Sequence, residues 1–361
     1  MPKTVLIMPK KFTTHLTNKE PAMFYSKIGK ALVIIASLGF TTHSAVAEEL
    51  SVATFVPPNH ETVTVALAWF EKEINERSDG SLTMKLYPAG QLGAGPVQQY
   101  KRVVEGVADI TFGIASINPT LFPKTLLAVP PGKAIDGLDS TQRMWAVFDK
   151  YFADEWNEVK LLALGNPAGA MLISTKDVST IEGMKGAKIV PFAAMTSPVI
   201  KGMGAVPVQM DPSEHYTALS TGTIDAAVSS INNVMPPWNL DEVSNYAILN
   251  VPATFNPVYF AMNKERYESL SDAHKAILDE ISGLPFSMEL ARSFHQADEL
   301  ALEWVDEQRQ AGKLKVEWIT ASNEERAKME QAAANGMAQI YSDYAERGIK
   351  NAQEIYEALN K

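Results

Sequence analysis

The stretch from Lys185 to Asn233, KGAKIVPFAAMTSPVIKGMGAVPVQMDPSEHYTALSTGTIDAAVSSINN, constrains the fold more than any other. Short apolar runs (Ala187 to Pro191, Ala205 to Met210, Ile224 to Val228) alternate with helical patterns. That alternation marks βαβ units, whose strands lie side by side in a parallel sheet flanked by helices. No Ser/His/Asp set, metal-binding spacing or glycine-rich phosphate loop occurs here, so the stretch points to binding rather than turnover. Open sheets of this type take ligands just beyond the carboxyl ends of their strands. The polar and aromatic residues that follow these strands are the first candidates for a site.

The first 47 residues read as a targeting sequence. Lys27 and Lys30 give a basic region, Ala31 to Phe40 an apolar one, and Ala45-Val46-Ala47 a small-residue cleavage site. Met23 reads as the true start, because residues 1–22 add nothing that export needs. The apolar run is too short to cross a bilayer, so no stable membrane insertion is expected. Without the leader the chain has 26 basic and 41 acidic side chains, a net charge of −15. That balance weighs against nucleic acid and anionic lipid as partners. The chain has no cysteine, which excludes disulfides, thiol nucleophiles and thiolate metal sites. Export without disulfides points to a periplasm, where 314 residues bury enough surface to stand unstapled.

Along the chain, Ser51 to Phe55 reads as a strand and Glu61 to Arg77 as a helix. Leu82, Met84 and Leu86 alternate with polar residues as a half-buried strand, and Asp109 to Ile114 is another. Ser140 to Phe152 reads as one helix. Leu161 to Leu164 and Ala170 to Ser174 are strands flanking Gly165-Asn166-Pro167-Ala168-Gly169, where the chain is expected to cross between lobes. Tyr246 to Asn256 would carry it back to a strand at Val258 to Met262. Ser271 to Gln310 is a long helical region broken near Gly283-Leu284-Pro285. A strand at Lys313 to Ile319 and two Ala/Glu/Lys-rich helices, Asn323 to Arg347 and Ala352 to Leu359, close the chain. The two helices are expected to form a solvated outer layer. One internal echo points to two similarly built halves: Tyr100, Gly106 and Asp109 recur at the same spacing as Tyr216, Gly222 and Asp225.

The order of motifs resembles the DctP-type solute receptors of tripartite ATP-independent periplasmic (TRAP) transporters. Its carriers are Pro58-Asn59-His60, Tyr87 to Gly93, Glu105 to Ile110, Met184 to Ile189, Gly204 to Val208, and Ser213 to Gly222 with Asp225. The resemblance implies an α/β, two-lobed, periplasmic binding protein-like fold with mixed or parallel sheets, a hinge and long C-terminal helices. Lobe 1 would span 48–168 and lobe 2 169–257. Residues 258–300 would return to lobe 1 and form a connecting helix, and 301–361 would pack across the lobes. The lobes would close on a small organic solute, and the receptor, a periplasmic monomer without cofactor or catalysis, would deliver it to a membrane permease.

The chain departs from the family where chemistry matters most. Members usually carry an Arg after the Lys-Ile pair, a planar fork for a ligand carboxylate; here that position is Val190. A second Arg aligns with Gly169, and a common Asn aligns with Ser229. No Arg at all lies between Arg143 and Arg266. A simple dicarboxylate is therefore not the expected solute. Phe192, Ser229, Ser230, Asn233 and Trp238 on one side, with His60 and Phe112 facing them, form an aromatic, sparsely polar lining. Such a lining suits an apolar, aromatic or amine-bearing solute. Lys188 is the one point charge placed to replace the missing Arg. Competing structural roles are core packing for the aromatics, a helix cap for His60 and a solvated edge for Lys188. An enzyme would need an activated nucleophile, a metal or an acid/base pair, and His60, His215, His274 and His295 form none by spacing. A ligand-sensing extracytoplasmic domain, or an organic-acid receptor without the Arg clamp, remains as an alternative.

Overall fold

The computed structural model describes residues 47–361 apart from 94, 135, 168, 169, 211–213, 237 and 253–255. Gly169, and the leader through Val46 with its internal Met23, lie outside the described residues. Among the described residues, eleven strands form two sheets. The first contains β1 (Glu48–Ala53), β2 (Leu82–Tyr87), β3 (Ile110–Ile114), β4 (Val159–Gly165) and β10 (Val258–Asn263), ordered β2-β1-β3-β10-β4. The second contains β5 (Ala170–Ser174), β6 (Lys188–Val190), β7 (Val206–Pro207), β8 (Ala226–Ser230), β9 (Tyr246–Leu249) and β11 (Glu317–Thr320), ordered β11-β9-β5-β8-β6-β7.

The three apolar runs between Ala187 and Val228 become β6, β7 and β8, and β6 runs parallel to both neighbours. Both sheets are mixed, and they repeat one plan. In the first, β1 is parallel to β2 and β3, while β10 is antiparallel to β3 and β4. In the second, β6 is parallel to β7 and β8, while β5 is antiparallel to β8 and β9.

The sequence echo has the same physical content in both sheets. Gly106 and Gly222 each sit at φ +69°, a left-handed turn that costs glycine little. Asp109 Oδ2 then accepts from the Ser51 backbone N at 2.7 Å, and its other oxygen pairs with Arg266 at 3.3 Å. Asp225 Oδ2 accepts from the Lys188 backbone N at 2.8 Å, and its other oxygen pairs with Lys176 at 2.8 Å. Burial pushes the Asp225 pKa up, but the bonds from Lys176 and Lys188 outweigh it and hold the carboxyl below its ordinary value. Each aspartate thus ties the start of its own strand to a parallel neighbour.

The chain passes from the first sheet to the second between Gly165 and Ala170, and returns between Leu249 and Val258. The expected helical break falls at Gly283 (φ +73°), between the helices Asp272–Ile281 and Leu284–Gln310. Pro285 sits in the first turn of the second helix, where its missing N–H costs nothing. That helix has 27 residues, roughly 40 Å at 1.5 Å per residue. Its start buries Phe286 against Phe70 and Phe260, with centroids 4.1 and 5.0 Å apart, in the core of the first sheet. Its end buries Val305 in a core cluster of the second.

Two expectations are corrected. The helix read as Ser140 to Phe152 is two, Gly137–Ala146 and Phe148–Tyr151, separated at Val147. The C-terminal helices Asn323–Glu346 and Ala352–Leu359 are not merely a solvated layer. The first buries Met329, Ala333, Gly336, Met337, Ile340 and Tyr344, and the second Ala352, Ile355 and Leu359. One core cluster joins them to Val199 and Ile200 on one side and to Phe122 and Leu126 on the other.

Candidate functional site

Beyond the end of β1 the chain turns through Pro57 to His60 and enters a π-helical stretch, Thr62–Leu67, that continues as the helix Ala68–Arg77. Such π-helical stretches are rare and often mark functional sites. Beyond the end of β8 a short turn, Ile231–Val234, leads on toward Trp238. Against both turns lies the middle of the helix Leu284–Gln310. A cavity of about 340 Å³ separates the three, lined by His60 and Glu61, by Asn232 and Trp238, and by Gln296 and Leu300, among others. That volume suits a small organic molecule.

Of the residues picked from sequence, His60 and Trp238 line this cavity. His60 also does the capping work weighed as its alternative: its Nδ1 accepts from the Thr62 backbone N at 3.3 Å and lies 2.8 Å from Thr62 Oγ1. Its ring meets Phe294 edge-on, centroids 6.2 Å apart. Trp238 is 45% exposed. Ser229 is buried and accepts a hydrogen bond from Asn233 Nδ2 at 2.9 Å, so these two serve each other. Ser230 pairs with Ala170 at the edge of the crossover.

Phe112 and Val190 depart from expectation: each is 2% exposed and neither lines the cavity. Phe112 is stacked on Phe55 at 5.4 Å and lies 5.1 Å from Phe260. Val190 packs in the core of the second sheet. Phe192 is half-buried against the shared core cluster. Lys188 is not a stand-in for the missing Arg, because its Nζ donates to the Gly222 carbonyl at 3.0 Å at the strand's starting end.

Glu61, which was not among the candidates from sequence, brings a carboxylate to the cavity. Its signal was there: an acidic residue directly after His60, where a strand gives way to a helix. Glu61 Oε1 and Asn232 Oδ1 are buried and accept no hydrogen bond from the described residues. Burial raises the Glu61 pKa and lowers that of His60 to about 4. Both shifts favour neutral forms, as desolvation dictates. No Lys or Arg is among the described residues lining the cavity. The arrangement offers hydrogen-bond acceptors and side-chain amides beside an indole, with no Lys or Arg among the described lining residues.

One consequence is measurable. The His60 ring should titrate near pH 4 by NMR instead of near its ordinary 6.5. Between those values the unfolded chain binds a proton at this residue that the folded chain refuses. The stability His60 contributes is therefore complete above pH 6.5 and is lost as pH falls toward 4. Glu61 acts in the opposite sense above its ordinary value and offsets part of this. An NMR midpoint near 6.5 would show His60 to be solvated and would remove it from the cavity wall.

The chain is similar to known proteins in sequence and in fold. The DctP family model, bacterial extracellular solute-binding protein family 7, matches residues 52–344. The outer membrane transporter protein TsaT of Comamonas testosteroni is 25% identical over 276 residues, 74% of this chain and 78% of that protein. The 2,3-diketo-L-gulonate-binding periplasmic protein YiaO of Escherichia coli is 27% identical over 262 residues, covering 67% and 74%. Among solved structures, a marine metagenome TRAP solute binding protein specific for aromatic acid ligands, in complex with 3-hydroxybenzoate, superposes with a TM-score of 0.76. It is 23% identical and covers 87% of this chain and 97% of that one.

Proposed function

The chain belongs to the DctP family of bacterial extracellular solute-binding proteins, and from that premise we propose that it holds its solute between His60 and Trp238. As a TRAP solute-binding protein it binds a small organic molecule and is not an enzyme. The cavity draws its lining from turns that follow strands of different sheets, which is what lets a bound molecule favour closure of one half on the other. The closed receptor would then deliver its cargo to a membrane permease.

The observation that carries the choice of solute is the pair of unmet acceptors, Glu61 Oε1 and Asn232 Oδ1, in a cavity with no Lys or Arg among its described lining residues. A buried acceptor left unpaired costs about 1–3 kcal/mol, so the solute that gains most supplies donors there. An ammonium group on an aromatic or apolar body meets the need, with Trp238 offering a face for it or for the ring. The relative solved with 3-hydroxybenzoate has an aromatic body in common with this reading and an acid group that differs from it. A dicarboxylate would bring two further anions to the Glu61 carboxylate.

A thermal-shift screen of the purified protein against aromatic amines, neutral aromatics and dicarboxylates tests this. Phenethylamine-type amines should stabilise the protein, and succinate and malate should not. Trp238→Ala should weaken the amine about tenfold with little change in melting temperature, since the side chain is half in solvent. Stabilisation by succinate that vanishes in the Trp238 variant would overturn the proposed solute class.

A further inference from the structure

A second cavity shares no lining residue with the first. It encloses about 1020 Å³ between Pro131 to Lys133, the helix Gly137–Ala146, Asn250 on the returning crossover, and the two C-terminal helices. Its chemistry is the reverse of the solute cavity's. Lys133, Arg143 and Arg326 line it, and Glu330 is the one carboxylate among the described lining residues, in a chain of formal net charge −10. Tyr341 and Tyr356 add an aromatic wall, their rings 6.1 Å apart at 58°.

The two guanidinium groups are held differently. Arg143 Nε meets both oxygens of Asp139 at 3.0 Å, and its two terminal nitrogens have no partner among the described residues. Those terminal nitrogens can grip a carboxylate or phosphate side by side. Arg326 Nε donates to Glu330 at 2.8 Å, while its terminal NH1 donates to Asn250 Oδ1 at 3.3 Å and the Val251 carbonyl at 3.1 Å. Its charge is thus fixed against the segment that returns the chain from the second sheet to the first.

We propose that this cavity is a separate binding site for an aromatic organic anion. The carboxylate of the ligand would lie on Arg143 with Arg326 and Lys133 near, and its ring on Tyr341 and Tyr356. The proposal stands apart from the solute reading, because neither Glu61 nor Trp238 takes part.

The test is calorimetric titration of the purified protein at low salt with phenylacetate, phenylacetamide and phenethylamine. Phenylacetate should bind at this site and phenylacetamide at least tenfold more weakly. Arg143→Gln should cost phenylacetate tenfold or more, and Arg143→Gln with Arg326→Gln should abolish measurable binding. Trp238→Ala should leave phenylacetate affinity within twofold. Because Arg326 also holds the crossover, the Arg143 variant alone decides the matter if the double variant melts early. Equal affinity for acid and amide, unchanged affinity in Arg143→Gln, or loss on Trp238→Ala would each overturn the proposal.

Discussion

Alanine at position 336 is expected to destabilise the protein by about 2–3 kcal/mol, although glycine to alanine inside a helix ordinarily gains about 0.5–1 kcal/mol. The reversal comes from packing. A Cβ at Gly336 would lie 2.3 Å from the Pro198 carbonyl oxygen and 2.6 Å from the Val199 nitrogen. Both are backbone atoms and neither can swing aside. Across the contact, a Cβ at Gly202 would stand 2.5 Å from the Ala332 carbonyl oxygen. The helices Asn323–Glu346 and Ser197–Gly202 therefore touch backbone to backbone, and either alanine forces them apart. Chemical denaturation of Gly336→Ala and Gly202→Ala checks this. A stabilised Gly336→Ala would mean that the helices do not meet as described.

Glu61→Gln should separate binding from stability. Loss of the carboxylate should cost an aromatic amine about 2 kcal/mol, roughly thirtyfold in Kd. The ligand-free protein should meanwhile be as stable as before or slightly more so, because a half-buried amide is cheaper to desolvate than a carboxylate. A residue retained only for the fold would show the opposite. Acidification should mimic the change: burial raises the Glu61 pKa, so amine affinity should start to fall at a higher pH than an ordinary carboxylate would impose. Titration calorimetry of both proteins across pH gives both numbers. Unchanged amine affinity in Glu61→Gln would remove this residue from the site.

Most strands were legible in the sequence because apolar runs and turn residues agree locally. The break at Gly283 and the paired turns at Gly106 and Gly222 were legible for the same reason, since each needs a conformation that glycine favours. The burial of the helix Asn323–Glu346 was not. Its buried stripe runs through Ala333 and Gly336 as well as Met329, Met337, Ile340 and Tyr344, and small residues hide a stripe from any reading that looks for large ones. His60 and Trp238, which line the candidate cavity, were legible as candidates because they follow strands. The burial of Phe112 and Val190 was not legible, because residues still within a strand can turn into the core. Gln296 and Leu300 reach the cavity only through the tertiary path of the long helix, which no local pattern records. The Arg gap between Arg143 and Arg266 was plain in the sequence. That Arg143 and Arg326 meet around another cavity was not, because 183 positions separate them.

Hydrogen–deuterium exchange with and without saturating phenethylamine tests most directly whether a small amine is clasped between turns of both sheets. Residues 57–65, 232–238 and 293–300 should all gain protection together, and Glu61→Gln should abolish the gain. Protection confined to one of these segments, or appearing at 131–133 and 326–341 instead, would contradict the account.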